Sequence, residues 1–153
     1  MSQSFVISLP WPPSVNTYWR SLIMPLSKER LSLRKGKLQH RVAVILSEEG
    51  RKYRELVQEQ VWRQRPPRLT GKLAVWIHAM PPDRRARDLD NLPKGVLDGL
   101  AHAGVFRDDC DIDDLRISRF AVRPGGQLAV QISEIAGEPT DSGELFRSEW
   151  EVA

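Results

Sequence analysis

The sequence predicts a single small α+β domain in which a mixed or antiparallel sheet packs against two main helices. Three observations carry this. Runs of β-branched and aromatic residues alternate with two stretches of helical apolar spacing, in the order strand, helix, strand, helix, strand, strand. Proline and glycine mark the ends of these runs. The 153 residues suit one compact domain and leave little room for another. We expect that domain to span 1–136, followed by a polar tail over 137–153.

Ser4 to Leu9 (SFVISL) reads as a strand stopped by Pro10, Pro12 and Pro13. Asn16 to Arg20 follows as a loop or a first helical turn. Residues 21–46 are basic, with scattered leucines and no clear period, and are expected to form a long loop or flap. Ser47 is placed to cap a helix in which Tyr53, Leu56, Val57 and Val61 recur at three-to-four spacing until Pro66 and Pro67. Gly71 opens KLAVWIHAM, a strand closed by Pro81 and Pro82. In the second helix Asp90 is the expected N-cap and Pro93 sits in the tolerated first turn. Leu92, Val96, Leu97 and Leu100 form its apolar stripe, and Gly104 ends it. LRISRFAV (115–122) and QLAVQISEI (127–135) flank Pro124-Gly125-Gly126 and read as a β-hairpin.

Several classes are excluded early. No apolar run approaches the roughly 20 residues of a membrane-spanning helix, and the first residues lack a signal-peptide pattern. One cysteine, Cys110, forbids an intrachain disulfide or a multi-cysteine zinc site, so a reducing, cytoplasmic setting is expected. Neither a G-x-x-x-x-G-K-[ST] loop nor a G-x-S-x-G elbow is present. His40, His78 and His102 are isolated and read as structural or solvated. The five tryptophans read mostly as packing residues, although Trp11 and Trp19, flanked by Pro and Arg, are also suited to stacking on bases.

The charge is sorted along the chain. Met1 to Arg87 holds 17 Lys and Arg against 6 Asp and Glu, whereas Asp88 to Ala153 holds 6 against 14. Nine of the ten aspartates lie between Asp83 and Asp114, a window without glutamate. A basic half suited to an anionic partner thus adjoins oxygen ligands suited to Mg²⁺ or Mn²⁺. In an extended segment Asp88 and Asp90 would project to the same side, with Lys94 one turn into the helix. Arg84, Arg85 and Arg87 lie immediately upstream, where they can grip phosphates. A second acidic group, Asp108-Asp109-Cys110-Asp111-Ile112-Asp113-Asp114, departs from a calcium loop at its sixth and twelfth positions, Asp114 and Phe120. It can supply a third ligand, most simply from Asp108 or Asp109.

LPWPPSVNTYWR, SEEGRKYR and above all PDRRARDLDNLPKGVLDGLAHAGVFRDD resemble the RusA-type Holliday junction resolvases. The resemblance implies a RusA-like α+β homodimer that resolves four-way DNA junctions in recombination and repair by paired, Mg²⁺- or Mn²⁺-dependent nicks. It makes Asp88, Asp90 and Asp109 the metal-binding carboxylates, with Asp108 adjoining the third position, and Lys94 the residue acting at the scissile phosphate. It puts Asn16 in the family's PPS-x-N segment and Arg84, Arg85 and Arg87 in its basic, DNA-binding approach. Against shorter members, residues 21–46 read as an insertion, and Asp111, Asp113 and Asp114 add charge beside the third ligand. A bacterial or phage origin follows from the family. Two other classes remain open on the sequence: a non-catalytic junction- or DNA-binding module, and a metal-dependent phosphatase.

Overall fold

Strand β1 (Ser4–Pro10) buries Ile7 and Leu9 on one face and leaves Val6 on the other, as its two-residue alternation requires. A computed structural model describes residues 3–25 and 40–135. After β1 come a one-turn helix α1 (Val15–Tyr18), strands β2 (Trp19–Pro25) and β3 (His40–Leu46), and helix α2 (Glu48–Gln64). Strand β4 (Leu73–Met80), helix α3 (Pro93–His102), β5 (Ile112–Arg119) and β6 (Gln127–Glu134) complete the order, with 3₁₀ turns at Leu89–Asn91 and Asp109–Asp111. The α+β class is as expected from the sequence.

The main sheet has strand order β1-β6-β4-β5, with β6 antiparallel to both β1 and β4 and β5 parallel to β4. Its inner face contributes Ile7, Leu9, Leu73, Val75, Ile77, Leu128, Val130 and Ile132 to the core, all essentially inaccessible. Tyr53 and Val57 of α2 and Val96, Leu97 and Leu100 of α3 close that core from above. Leu56 and Trp62, by contrast, face outward; Trp62 is 71% exposed, so it is not a packing residue. The opposite sheet face carries Trp76 and His78, whose rings lie 4.4 Å apart, with Phe120 a further 4.8 Å from His78. His78 therefore has a packing role, as its isolation in the sequence suggested.

The expected hairpin between 115–122 and 127–135 does not form. β5 and β6 flank β4 on opposite sides and never pair. The connection has to clear an intervening strand, a span of about 10 Å, which a tight turn cannot bridge. It does so by following the end of β4: the Phe120 amide donates to the Ala79 carbonyl (2.8 Å) and the Arg123 amide to the Pro81 carbonyl (2.9 Å). Gly126 closes the crossover at φ +69°, where a β-carbon would lie 2.7 Å from Trp11 Cβ. The glycines are needed, but for a crossover.

The loop expected over 21–46 is corrected as well. Residues 19–25 and 40–46 pair as an antiparallel ribbon in the register Trp19↔Leu46 to Pro25↔His40. Its Ile23, Val42 and Val44 are all well exposed, so no buried stripe betrays the strands by their period. Residues 26–39, like the expected tail at 137–153 and its Trp150, lie outside the described residues.

The ribbon enters α2 through a close approach. Ser47 caps the helix by accepting from the Gly50 amide at 2.9 Å, while its own amide donates to the Tyr18 carbonyl at 2.9 Å. A β-carbon on Gly50 would lie 2.6 Å from that same carbonyl oxygen. Alanine inside a helix is otherwise favoured over glycine by about 1 kcal/mol, so the sign is diagnostic. Gly50→Ala should lower stability by about 1–3 kcal/mol in urea denaturation; a variant as stable as the parent would contradict the packing described.

Candidate active site

The segment between β4 and α3 is shaped by its own charges. Asp83 accepts from the Arg85 amide (2.9 Å) and pairs with both terminal nitrogens of Arg87 at 2.5 and 2.9 Å. Arg87, foremost, and the Arg85 amide hold the Asp83 carboxyl well below the usual carboxylate range. Arg119 of β5 donates to the Arg87 carbonyl. Of the three arginines expected to meet phosphate, Arg87 is thus already engaged, whereas Arg84 and Arg85 are exposed, Arg85 with its Nε 3.8 Å from Asp83. Nothing in the order of residues marks Asp83 or Arg119 as the partners that fix this segment.

Asp88 is extended (φ −79°, ψ 134°) and opens the 3₁₀ turn Leu89–Asn91, so Asp90 lies inside a turn. The extended geometry that would project Asp88 and Asp90 to one side is not adopted. With three residues per turn, positions three apart eclipse, and it is Asp88 and Asn91 that line a common pocket with Trp11, Pro12 and Ser14. The expected Asp90 N-cap is corrected too. Helix α3 starts at Pro93 with Leu92 at the cap position and no side-chain cap bond, because Leu92 already has helical dihedrals continuing the 3₁₀ turn. Asn16 lies in α1 and is exposed, and Ser14, two residues before it, lines the pocket with Asp88.

The second acidic group resolves into distinct roles. Asp108 accepts from the Cys110 amide at 3.0 Å and caps the turn Asp109–Asp111, which lowers its carboxyl and, with the Cys110 thiol bonded to it, raises that thiol. Asp111 pairs with Arg107 (2.6 Å), Asp113 with Lys72 (2.8 Å) and Asp114 with Arg116 (3.2 Å). Asp109 instead receives the Lys94 ammonium at 2.8 Å, and that same ammonium lies 2.9 Å from Asp98. These two carboxylates, Asp109 first, raise the Lys94 pKa and keep it a cation. Asp98, four residues on and on the same helix face, is a site residue the sequence reading missed; its spacing from Lys94 was the available signal.

Lys94 and Asp109 are therefore brought together, and Asp88 and Asn91 are brought together. Among the described residues no three acidic, histidine or cysteine side chains gather as a ready-made metal cage. The donor set still suits a hard cation. Mg²⁺ takes only one or two carboxylates and completes its shell with water and substrate phosphate. Asp83, Asp111, Asp113 and Asp114 are each held by an arginine or lysine, Asp98 and Asp109 share Lys94, and Asp88 and Asp90 make no ion pair among the described residues.

The Asp83–Arg87 pair makes a pH test of this local architecture. A lowered folded-state carboxyl contributes stability above its unfolded value, about 3.9, and loses it as pH falls through the folded value. Asp83→Asn should be less stable than the parent at pH 7 and at pH 5. The difference should shrink only below about pH 3.9. Thermal unfolding across pH measures this; a gap that closes between pH 7 and 5 would contradict the pairing.

The family described as Endodeoxyribonuclease RusA matches residues 10–133. The chain is 39% identical over 128 residues to the crossover junction endodeoxyribonuclease rusA of Enterobacteria phage HK97, covering 83% of this chain and 92% of that relative. It is 33% identical over 136 residues to the crossover junction endodeoxyribonucleases RusA of Shigella sonnei strain Ss046 and of Escherichia coli strain K12, covering 88% of this chain and 98% of each. The matched span runs from the end of β1 into β6 and takes in both acidic stretches, Lys94 and the arginine-rich approach. The chain belongs to the RusA endodeoxyribonuclease family.

Proposed function

We propose that this chain is an endodeoxyribonuclease that resolves four-way DNA junctions by paired nicks, with Asp88, Asp90 and Asp109 holding Mg²⁺ or Mn²⁺. The observation that carries the reading is the Lys94–Asp109 pair at 2.8 Å. It ties the second acidic stretch to the helix that begins two residues after Asn91, so that the carboxylate and the amine given the metal and phosphate roles in this reading adjoin. When bound, the metal supplies Lewis-acid charge and an activated water.

The chain's own residues have separable tasks in this reading. Lys94 neutralises charge developing on the phosphoryl oxygens, a role in which a single donor can be worth about 3 kcal/mol. Asp98 keeps the amine at that station when Asp109 turns to the metal. Arg84 and Arg85 grip the backbone on the approach, Arg87 holds the approach in shape, and Asn16 contacts DNA beside Ser14. Asp108, with one oxygen committed to the Cys110 amide, is a supporting acid beside the third ligand. A homodimer would offer two such sites about a two-fold axis, matching the near two-fold symmetry of a junction. The phage and enterobacterial sources of the relatives support a bacterial cytoplasmic setting.

A DNA-binding module without catalysis is the second reading, and the match to a family described as endodeoxyribonucleases disfavours it. A metal-dependent phosphatase of small substrates is disfavoured by the exposed arginines, which suit a polymer. A synthetic four-way junction and a linear duplex, each with and without Mg²⁺, separate the three. Asp90→Asn should abolish nicking and leave junction binding within about threefold of the parent, since metal chemistry and phosphate grip are separate. Persistent nicking would remove Asp90 from the mechanism, and absence of any metal-dependent product from the parent would favour the binding module.

The Lys94 cation makes a second prediction. A raised lysine stays protonated below its ordinary value, about 10.4, and loses its charge only as pH rises through the higher folded value. In the metal-free protein, NMR of the Lys94 ε-methylene should therefore show no titration between pH 7 and about 10. An ε-methylene shift that titrates within that range would contradict the pairing with Asp109 and Asp98.

A further inference from the structure

A pocket of ≈ 230 Å³ beside Asp88 has features that metal-dependent hydrolysis does not require. Carboxylates, an amine and phosphate grips are enough for that chemistry, yet this pocket is walled by Trp11, Leu89, Phe120 and Val122, with Arg84 and Arg85 at the same site. Aromatic faces with arginines alongside suit a flat π-system attached to a phosphate. The volume is below the roughly 300–1,000 Å³ of clefts for drug-sized ligands, so it suits one ring system and not a base pair.

The walls are held in advance of any ligand. Phe120 is tied through its amide to Ala79 and its ring rests against His78, which rests in turn on Trp76. Its 46% exposure leaves the ring available. Trp11 is seated against Gly126, where no side chain fits. Arg87 is clamped by Asp83 and its carbonyl by Arg119, so the floor between the aromatic walls and Asp88 is fixed. Among the described residues Arg84 makes no ion pair, which leaves it free for phosphate at the mouth.

We infer that this pocket receives a single unstacked nucleobase of the bound junction, next to the strand presented to Asp88, and so helps to select where the strand is cut. The inference rests on the reading of the chain as a junction endonuclease. An intact duplex keeps its bases stacked and paired, whereas a branch point has bases with fewer neighbours to lose. The pocket thereby favours branched over linear DNA without reading a groove.

Abasic substitution tests this by binding alone, in EDTA, with a synthetic four-way junction in which each crossover nucleotide is made abasic in turn. At one position the parent should lose about tenfold in affinity, the size expected for one lost base–aromatic stack. Phe120→Ala should bind the intact junction about tenfold more weakly and be indifferent to the abasic site, while Phe120→Tyr, which keeps the ring, should behave as the parent. A parent indifferent at every position, or a Phe120→Ala variant still sensitive to the abasic site, would overturn the pocket. If the parent binds and nicks the junction yet is indifferent throughout, the pocket falls and the endonuclease reading stands. If the parent does not bind the junction, both fall.

Discussion

The Lys94 ammonium between Asp98 and Asp109 is the interaction on which the functional architecture depends. The chain places nine aspartates in one window, and close carboxylates repel unless a cation lies between them. Lys94 supplies that cation from the first turn of α3, reaching the turn before β5 at 2.8 Å. Lys94 is about half exposed and Asp109 more than a third exposed, so screening by water keeps the stability contribution small. Its importance is positional. It ties helix α3 to the turn before β5 through a partly solvated pair, which in the proposed function gives way to a divalent ion.

The neighbouring aspartates make sense around that interaction. Asp111, Asp113 and Asp114 look in the sequence like rivals to Asp109, but each is taken by a basic partner: Arg107, Lys72 and Arg116. Asp83 serves Arg87, and Asp108 caps its own turn. The cluster is thus several local ion pairs and caps around Asp88 and Asp90, which make no ion pair among the described residues. That distinction depends on which side chains meet across the fold, and composition alone does not carry it.

Much of the fold was legible because it rests on local rules. The Ser47 cap, Pro93 at the helix start, Gly104 at its end and the alternation of β4 follow from residue chemistry within a few positions. The failures are non-local. Whether β5 and β6 pair with each other or both with β4 is decided by the sheet as a whole, and a Pro-Gly-Gly connection fits either. The β2–β3 ribbon was missed because neither face is buried, so the two-residue period has no apolar contrast to reveal it. The Asp90 cap failed because a 3₁₀ turn precedes the helix and shifts its start to Leu92 and Pro93. At the site, the acidic residues and Lys94 were legible as a set, but the pocket shared by Asp88 and Asn91 and the second partner Asp98 needed three dimensions.

A site with few preassembled ligands should take its metal together with its substrate. Mn²⁺ titration followed by electron paramagnetic resonance, with protein alone and with protein bound to an uncleavable four-way junction, tests this most directly. The free protein should bind Mn²⁺ weakly, with marked tightening on the junction and loss of the tightening in Asp109→Asn. Equal Mn²⁺ affinity with and without DNA, unaltered by that substitution, would contradict joint uptake of metal and substrate.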